Sequence, residues 1–434
     1  MHERKLLLIV HRFPPMGGVG SRRWAKFCKF FCRDGWEIHV ITVEYPWVDN
    51  VNWLQDVSGL DKLTVTRLAT PYPSRFLRPD GELPVWQLWA TRMQRFLYQR
   101  WQRYIEPLHF DHASRWAETL VPFAADYVRR HDIRVAIAAG PPSSLHIAGA
   151  LLKAEVPHLR IVQDYRDPWN NVHDYQMERV GNAITKATML TWEHLAVTVA
   201  DSVVVVTEQM KRELEHLFSL PLDKVQVIPN GFDREDYEEC SPMLPQRGGE
   251  IRLVYLGSLG RGAKSRFGGL EMLLEAVETL EEPLRSRFVF DIYSERASGT
   301  IDSPRSADRR DRVHFHPMIP SDQVARALAR AHVCLSINRI EDDYAVGTKV
   351  YDYMAMGKPI FQIAHGGELA EKLRAAGQFV TDYERPNVQE CLRALALAAD
   401  KGTLLPATEL YQASDLRWSA RSYREHLEKM LARE

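Results

Sequence analysis

The amino-acid sequence predicts an α/β protein made of two doubly wound, Rossmann-like domains. Short apolar runs alternate with longer amphipathic segments along all 434 residues, and this alternation is typical of parallel strands joined by crossover helices. The alternation restarts after 233–249, a loop rich in acidic residues, proline and glycine. The chain is also longer than one compact core usually accommodates. We therefore expect two domains that face a cleft.

Each half of the chain carries its own series of strand-like runs. The runs of the first half are 5–11, 37–43, 135–139, 160–163, 202–206 and 225–228. Those of the second half are 251–257, 288–293, 313–316, 333–337, 360–363 and 379–381. Open parallel sheets bind their ligands beyond the carboxyl ends of the strands. The loops that follow these runs are therefore the first place to search for a functional site.

Charge and cysteine content exclude several classes of protein. The 56 basic residues balance 57 acidic ones, which gives a formal net charge of -1, so no global field recruits nucleic acid or an anionic membrane. Five scattered cysteines favour buried thiols in a reducing cytoplasm over a disulfide framework or a zinc site. The apolar run 6–10 is far shorter than a membrane helix. We expect a cytoplasmic protein that needs no metal and binds no nucleic acid.

The loop after the first strand has the composition of an anion-binding turn. It contains Gly17 and Gly18, and the helix that follows carries Arg22 and Arg23. Glycines allow the backbone to approach a phosphate closely, and a helix N-terminus supplies unpaired N–H groups. The glycine spacing differs from that of the dinucleotide fingerprint. A plain turn is the alternative to a phosphate site.

Two further loops of the first half carry unusual polar residues. One of them leads into a helix whose first turn contains His146. The other follows the next strand and contains Asp164, Arg166 and Asp167 before a proline. Such a charged cluster at a buried strand end is costly unless it is paired or used. The alternatives to a functional site are a structural histidine and an internal salt bridge.

Two loops of the second half suit a diphosphate and a ribose. The first contains several glycines and Ser258, and a helix is expected from about Leu270. Its cations are Arg261, Lys264 and Arg266. The second is a turn at Thr348 and Lys349 that opens a short helix, and Asp352 lies in the first turns of that helix. A flexible loop and simple helix capping are the alternatives.

With these motifs the chain resembles retaining glycosyltransferases of the GT-B fold, specifically glycosyltransferase family 4, over nearly its whole length. The motifs are PPMGG (14–18), GPPSSLH (140–146), DYRDPW (164–169), VIPNGFD (227–233) and KVYDYMAMGKP (349–359). Members with such motifs build bacterial surface polysaccharides or glycolipids. The resemblance implies an acceptor-binding domain at 1–235 and a domain for a nucleotide-diphosphate sugar at 250–410. It also implies a last helix, within 411–434, that crosses back to the first domain.

The resemblance implies roles for individual residues. Gly17 and Gly18 would approach the donor diphosphate, the loop cations would neutralise it, and Asp352 would hold the ribose. The candidate catalytic residues are Arg261, Lys264, His146 and Asp167. The candidate donor-binding residues are Gly17, Gly18, Ser258, Arg261, Lys264, Arg266, Thr348, Lys349 and Asp352. The candidate acceptor-binding residues are Arg22, His146, Asp164 and Arg166.

Two positions depart from the pattern of the family. The family places two glutamates eight positions apart, whereas here Asp352 stands at the second position and Tyr344 at the first. The acids that could take over the first role are Glu341, Asp342 and Asp343. Two glycines at 268–269 replace the family's Lys-Gly pair. The phosphate cation is then either Lys264 or Arg266, and the sequence leaves both questions open.

The expected reaction places its main demand on the leaving group. Breaking a bond between an anomeric carbon and a phosphate develops negative charge on the diphosphate, so cations and N–H groups there are catalytic. The resemblance implies attack by the acceptor hydroxyl from the leaving-group face, with its proton passing to the leaving phosphate oxygen. A protein nucleophile is then not required. No spacing typical of metal ligands is visible, and we expect neither a cofactor nor a required divalent ion.

The segment 75–104 combines six arginines and several aromatic residues with only two acids. One helical face would carry Trp86, Trp89, Met93, Phe96 and Leu97, with arginines at its flanks. The segment is either a core-facing amphipathic helix with snorkelling arginines or a surface for a membrane or a lipid-linked acceptor. Peripheral association with the inner face of the membrane therefore stays open.

Two other functions compete with sugar transfer. A nucleotide-sugar epimerase of the same fold shares the phosphate chemistry but needs acid and base groups around the sugar. A binding or scaffold protein that has lost turnover would explain Tyr344. A dehydrogenase is disfavoured because no acidic residue ends the second strand. The sequence does not specify the nucleotide base, the sugar, the acceptor, the linkage or the oligomeric state.

Overall fold

The computed structural model describes most of the chain as two compact units. The described residues are 4–17, 19–45, 53–71, 84–105, 111–170, 183–237, 245–260, 266–294, 311–339, 345–407, 410 and 414–432. The first unit comprises Met1–Pro229 together with Ser419–Glu434, and the second comprises Asn230–Trp418. Each unit contains one parallel sheet with helices, which confirms the predicted α/β class with two Rossmann-like domains.

The first unit contains a seven-stranded parallel sheet. Its strands are β1 (Lys5–Val10), β2 (Glu37–Val43), β3 (Leu63–Leu68), β4 (Val135–Gly140), β5 (Arg160–Tyr165), β6 (Ser202–Val205) and β7 (Val225–Val227). Their order across the sheet is β3-β2-β1-β4-β5-β6-β7. The helices are α1 (Val19–Arg33), α2 (Leu54–Val57), α3 (Val85–Ile105), α4 (Ser114–His131), α5 (Ser144–Glu155), α6 (Ala183–Val199) and α7 (Glu208–Phe218).

The central strands of this sheet are apolar along their length because helices cover both faces. Residues Leu6–Val10 of β1 are all buried, as expected for a parallel strand inside an α/β sheet. One core contains Leu7, Trp116 of α4 and Leu145 of α5. The edge strand β3 was not predicted, because apolar and polar residues alternate in its sequence LTVTRL. None of its six residues is fully buried. It pairs with β2 in parallel.

The last helix, α14 (Leu416–Leu431), completes the first unit. Tyr423 is fully buried and contacts the rings of Trp24, Phe27 and Phe31 of α1. Arg424 forms an ion pair with Asp34 at the end of the same helix. Aromatic side chains bury large apolar areas and favour edge-to-face contacts of this kind. The apolar face of α1 is therefore covered by residues more than 380 positions further along the chain.

The second unit contains a six-stranded parallel sheet in the order β10-β9-β8-β11-β12-β13. Its strands are β8 (Ile251–Leu256), β9 (Phe288–Tyr293), β10 (Val313–His316), β11 (Val333–Ile337), β12 (Ile360–Ile363) and β13 (Phe379–Thr381). Its helices are α8 (Arg266–Glu278), α9 (Leu284–Arg287), α10 (Ser321–Ala329), α11 (Thr348–Ala355), α12 (Glu368–Ala375) and α13 (Arg385–Lys401). The β9 to β13 bounds are those predicted from the sequence.

Two predicted boundaries were wrong by two or more residues. Strand β5 continues through Asp164 to Tyr165, because both residues pair with β4 and β6, so Asp164 belongs to the sheet and not to the loop after it. Helix α8 begins at Arg266 rather than near Leu270. A Cβ on Gly269 would lie 2.7 Å from Cγ2 of Ile337. The glycine therefore lets the first turn of α8 pack closely against β11.

Among the helices that the structure describes, none combines the length and the apolar composition needed to cross a membrane.

Candidate functional site

Each sheet has one point at which the strand order reverses, between β1 and β4 in the first unit and between β8 and β11 in the second. Neighbouring connections leave such a point in opposite directions, so a crevice forms beyond the carboxyl ends of the two strands. In both units the polar residues singled out from the sequence lie at the ends of strands at this point or next to it. Each unit therefore has one candidate ligand site of its own.

The crevice of the first unit is a pocket of about 220 Å³. It is lined by Val10, His11, Arg12, Gly20, Arg23, Trp24, His112, Ala139, Gly140, Pro141, Pro142, Asp164 and Arg166. The lining comes from the ends of β1, β4 and β5, from the first turns of α1, and from the segment before α4. Its size suits one sugar-sized group, because pockets for drug-sized ligands are larger, roughly 300–1,000 Å³.

Arg23 and Asp164 form a buried ion pair in this pocket. Nη2 of Arg23 lies 3.1 Å from Oδ2 of Asp164, and both side chains are almost fully buried. The guanidinium also donates to the carbonyl oxygens of Ile228 and Pro229, at 3.0 and 3.1 Å. The salt bridge that the sequence left as an alternative for Asp164 is therefore present, with a partner in α1.

The buried polar atoms of the pocket residues that have no hydrogen-bond partner among the described residues include Nε2 of His11, Nε1 of Trp24 and Oδ1 of Asp164. Nδ1 of His11 lies 2.8 Å from the hydroxyl of Tyr45. Burial, followed by the charges of His112 and Arg12, holds the pKa of His11 well below its usual value. His11 is therefore neutral, and its two nitrogens are one donor and one acceptor.

His146 lies beneath the pocket and does not line it. Nδ1 is 2.8 Å from Oε1 of Gln163, and the ring stacks on Tyr165 at a centroid distance of 3.8 Å. Burial lowers the pKa of His146 to about 4, so the imidazole is neutral. A Cβ on Gly140 would lie 2.3 Å from Nε2. His146 thus supports the strand end from below, and its predicted catalytic and acceptor-binding roles stay predictions.

Of the remaining first-unit candidates, Arg166 lies in the pocket and Arg22 does not. Arg166 extends over Gly20, where a Cβ would lie 2.9 Å from Nη1, and its Nε is 3.9 Å from a carboxylate oxygen of the exposed Asp167. The buried guanidinium of Arg22 lies 5.2 Å from the ring centroid of Trp53. Gly17 lies in the loop before α1.

The pocket contains three titratable residues that were given no role from the sequence: His11, Arg12 and His112. His11 and Arg12 directly follow β1, so the same rule that selected Asp164 could have selected them. The residues favoured from the sequence were instead Arg22 and Arg23, at the start of the following helix. His112 gave no comparable signal, because it precedes α4 and follows no strand.

In the second unit, the predicted donor-binding residues lie around the end of β8. Nζ of Lys349 lies 3.7 Å from the ring centroid of Tyr255, a cation–π contact. The Tyr255 hydroxyl donates to the carbonyl oxygen of Ser258 at 2.9 Å. Nε of Arg266 donates to the carbonyl oxygen of Ile337 at 3.2 Å. The carboxyl ends of β8 and β11 therefore lie close to the N-termini of α8 and α11 and to two cations, Arg266 and Lys349.

Helix α11 also ties the two switch-point strands together. The Tyr353 hydroxyl accepts a hydrogen bond from the backbone N–H of Leu256 in β8 at 3.2 Å and donates to the carbonyl oxygen of Leu335 in β11 at 3.1 Å. Next to it, Asp352 is mostly buried and accepts a 2.6 Å hydrogen bond from the Tyr237 hydroxyl. The carboxylate is therefore held in one orientation.

Several predicted site residues lie outside the described part of the chain. These are Gly18, Arg261, Lys264, Glu341, Asp342, Asp343 and Tyr344. Two questions therefore stay open, as they were from the sequence. One is whether Lys264 or Arg266 is the phosphate cation, and the other is which acid replaces the family's first glutamate.

A buried carboxyl group close to β5 gives the first unit a pH-dependent stability. Oε2 of Glu193 accepts hydrogen bonds from the backbone and side-chain amides of Asn170, at 3.1 and 2.7 Å. Burial outweighs these hydrogen bonds and raises the pKa of Glu193 to about 8. Because the unfolded chain binds this proton only below about pH 4.5, it binds fewer protons than the folded protein between about pH 4.5 and 8. This group therefore lowers the stability as pH rises through that range.

We expect Glu193→Gln to gain stability relative to the wild type as pH rises from 5 to 8, by up to a few kcal/mol. The glutamine keeps an acceptor for Asn170 and cannot ionise. Thermal unfolding midpoints of the variant and the wild type at several pH values measure this gain. Glu155→Gln, at an exposed position, is the control and should show a constant difference. A constant difference for Glu193→Gln would contradict the raised pKa.

The sequence profile of Glycosyltransferase Family 4 matches residues 16–236, just over half of the chain, and the profile of Glycosyl transferases group 1 matches residues 250–396. No curated protein sequence gives a significant match.

Solved structures share the fold at low sequence identity. The E. coli trehalose-6-phosphate protein bound with UDP-2-fluoro glucose has a TM-score of 0.61 at 12% identity, over 98% of both chains. A glycosyltransferase from Rickettsia africae has a TM-score of 0.59 at 11% identity, over 100% of both chains. Anabaena HepE in complex with UDP has a TM-score of 0.57 at 13% identity, over 98% of this chain and 100% of the other.

The two parallel sheets and the two matching profiles define a two-domain glycosyltransferase of the GT-B type. Since the family profile extends over more than half of its length, the chain belongs to glycosyltransferase family 4.

Proposed function

We propose that this glycosyltransferase moves a sugar from a nucleoside-diphosphate sugar to a hydroxyl group of a glycan or a lipid-linked acceptor, with retention of the anomeric configuration. The second unit (Asn230–Trp418) would bind the donor and the first unit (Met1–Pro229 with Ser419–Glu434) the acceptor. The observation that carries the proposal is that polar and cationic side chains gather at the switch point of each sheet. Assembly of a surface polysaccharide or glycolipid is the proposed setting.

The second-unit crevice offers the groups that a nucleoside diphosphate needs. Lys349 and Arg266 supply positive charge close to the N-termini of α11 and α8, where backbone N–H groups bind anions. The carboxylate of Asp352 can accept ribose hydroxyls, as the family pattern implies. The similar structures from Anabaena and E. coli hold UDP and a UDP-sugar analogue, respectively. A uridine nucleotide is therefore the first donor to test.

The proposed reaction balances without a nucleophilic side chain. The acceptor oxygen forms a bond to the anomeric carbon as the bond from that carbon to the diphosphate oxygen breaks. The acceptor proton passes to the leaving diphosphate, and negative charge grows on that leaving group. Cationic side chains of the 257–266 loop stabilise this charge, so we propose that no divalent ion and no cofactor are required. Turnover should then be unchanged by EDTA.

The binding of nucleotides tests the proposed function directly. We expect the melting temperature to rise with one class of nucleoside diphosphate and its sugars, because a ligand at 100 times its Kd adds about 2.7 kcal/mol of stability. Asp352→Ala should weaken this shift, whereas Asp382→Ala, at the exposed end of β13, should not. No shift with any nucleotide would contradict donor binding. Sugar epimerisation without an acceptor would favour the epimerase alternative.

Helix α3 supports a membrane-linked setting. Its apolar residues are exposed: Trp86 (70%), Trp89 (68%), Met93, Phe96, Leu97 and Trp101. The core-facing interpretation is therefore wrong for the described part of this helix. Arginines 92, 95 and 100 lie among these side chains, and aromatic residues with cations are typical of helices that lie on anionic membranes. We propose that α3 contacts a membrane surface that carries the acceptor.

Flotation with anionic liposomes is expected to recover the wild-type protein at low salt and to lose it at high salt. The double variant W86S/W89S should lose most of the binding. W418S, which changes an exposed tryptophan elsewhere in the chain, is the matched control and should float like the wild type. Flotation that is absent, or equal in W86S/W89S, would rule out α3 as the contact.

A further inference from the structure

The pocket of the first unit carries more positive than negative charge. Arg12, Arg23 and Arg166 line it, against the single carboxylate of Asp164. Arg23 balances Asp164, since the two form the buried ion pair described above. Arg166 has a carboxylate neighbour at 3.9 Å, but Asp167 is half-exposed and well screened by solvent. Arg12 is exposed at the rim. The surplus charge therefore lies with Arg12 and Arg166.

The titration of neighbouring groups agrees with this surplus. Burial and then the charge of Arg12 lower the pKa of His112, although Asp111 partly opposes them. Burial is also the largest cause of the lowered pKa of Arg166; the charges of Asp167 and Asp164 oppose it, and those of Arg23 and Arg12 lower it further. The histidines add no positive charge at neutral pH, so the field in the pocket comes from the arginines.

The pocket also offers hydrogen-bonding atoms suited to a hydroxyl group. Oδ1 of Asp164 and Nε2 of His11 are buried and make no hydrogen bond of normal geometry with the described residues, although the Tyr423 hydroxyl lies close to the Asp164 carboxylate. Leaving such atoms unpaired is costly, so water or a ligand usually satisfies them. A carboxylate oxygen only accepts, which suits a sugar hydroxyl. Guanidinium groups prefer phosphate or carboxylate, which they can bind with two parallel hydrogen bonds.

We propose that the acceptor is anionic: a phosphate, diphosphate or carboxylate group of the acceptor binds Arg12 and Arg166, and a hydroxyl of the same acceptor binds Asp164. This inference rests on the proposed function, in which the first unit binds the acceptor. It narrows the acceptor to lipid-linked sugar diphosphates, sugar phosphates and glycans with acidic sugars. A neutral glycan would leave both arginines without a ligand group.

Calorimetric titration of the full chain tests this proposal with four probes: inorganic pyrophosphate, farnesyl diphosphate, glucuronate and the uncharged methyl glucoside. We expect at least one anionic probe to bind more tightly than methyl glucoside. Its binding should weaken at least about tenfold in R12Q/R166Q. The control R130Q changes an exposed arginine of α4 and should bind like the wild type. Preference for farnesyl diphosphate would indicate a lipid-linked acceptor, and preference for glucuronate an acidic glycan.

The single variant R12Q separates loss of binding from misfolding, because Arg12 is exposed and its replacement should leave the melting temperature unchanged. We expect R12Q to weaken the binding of the anionic probe, as R12Q/R166Q does. Equal binding of the anionic probes by R12Q/R166Q and the wild type would overturn the proposal, as would binding of no anionic probe. Simple competition between the probe and UDP would also overturn it, because the pocket would then bind the donor diphosphate.

The same titrations separate this proposal from the proposed function. If UDP binds and no anionic probe does, the anionic acceptor is wrong while donor binding stands. If the anionic probes bind and no nucleoside diphosphate does, donor binding fails, and with it the assignment of the anion to an acceptor.

Discussion

Replacing Arg261 by alanine is expected to lower kcat about 100-fold while leaving the melting temperature unchanged. The residue belongs to the loop between β8 and α8, after Gly257 and Gly260, both of which adopt positive φ values. These glycines turn the chain sharply at the carboxyl end of β8, where the leaving diphosphate would lie. Loss of one group that stabilises developing negative charge typically costs a factor of about 100 to 1,000 in kcat.

The matched control for Arg261→Ala is Arg393→Ala, which removes an exposed arginine of α13 that pairs with Glu281. This variant should retain full turnover, since exposed ion pairs contribute little to stability and Arg393 lies far along the chain from the loop. Steady-state kinetics with the donor identified by thermal shift measures both variants. Unchanged turnover in Arg261→Ala would contradict its role at the diphosphate.

The second large effect concerns stability. We expect Arg23→Met to destabilise the protein by about 3–5 kcal/mol, because it leaves the carboxylate of Asp164 buried without its partner. The carbonyl oxygens of Ile228 and Pro229 lose a donor at the same time. Chemical denaturation of both proteins measures the loss.

Two further variants test whether that loss of stability comes from the buried ion pair. R23M/D164N should recover part of it, because the buried charge is then absent. R130M removes a comparable Arg–Asp pair whose side chains are both more than half exposed, and it should cost no more than about 1 kcal/mol. If R23M were as mild as R130M, or if R23M/D164N were less stable than R23M alone, the ion pair would not stabilise the pocket.

The fold was predictable because most strands lie inside the sheets. Continuous apolar runs such as 333–337 and 360–363 are the direct result of burial on both faces, and their bounds agree with the structure. Strand β3 escaped prediction because an edge strand that is only partly covered keeps polar residues along its length. The start of α8 was missed because two successive glycines, Gly268 and Gly269, are typical of a loop. In the structure Gly269 is part of the helix and allows it to pack closely on Ile337.

The candidate site was predictable only where one loop carried the signal. Asp164 and Arg166 were selected because they stand together after one strand, and both lie in the pocket. Nothing local to Asp164 shows that its partner is Arg23 of α1, because the two residues meet only when β1 and β5 join the same sheet with β4 between them. For the same reason Arg22 and Arg23 look alike in sequence, while the turn of α1 sends one to Trp53 and the other to the pocket.

The position of α14 has a consequence for how the protein is made. On the ribosome, domains generally fold in the order of synthesis, at ~5–20 residues per second. Here the aromatic face of α1 stays uncovered until Tyr423 is synthesised, which happens only after the whole of Asn230–Trp418 has been translated. That delay amounts to roughly 10–40 s at these rates of synthesis. The unit that is begun first is therefore completed last, and a nascent chain that stalls within the second unit leaves the first one with an uncovered apolar surface.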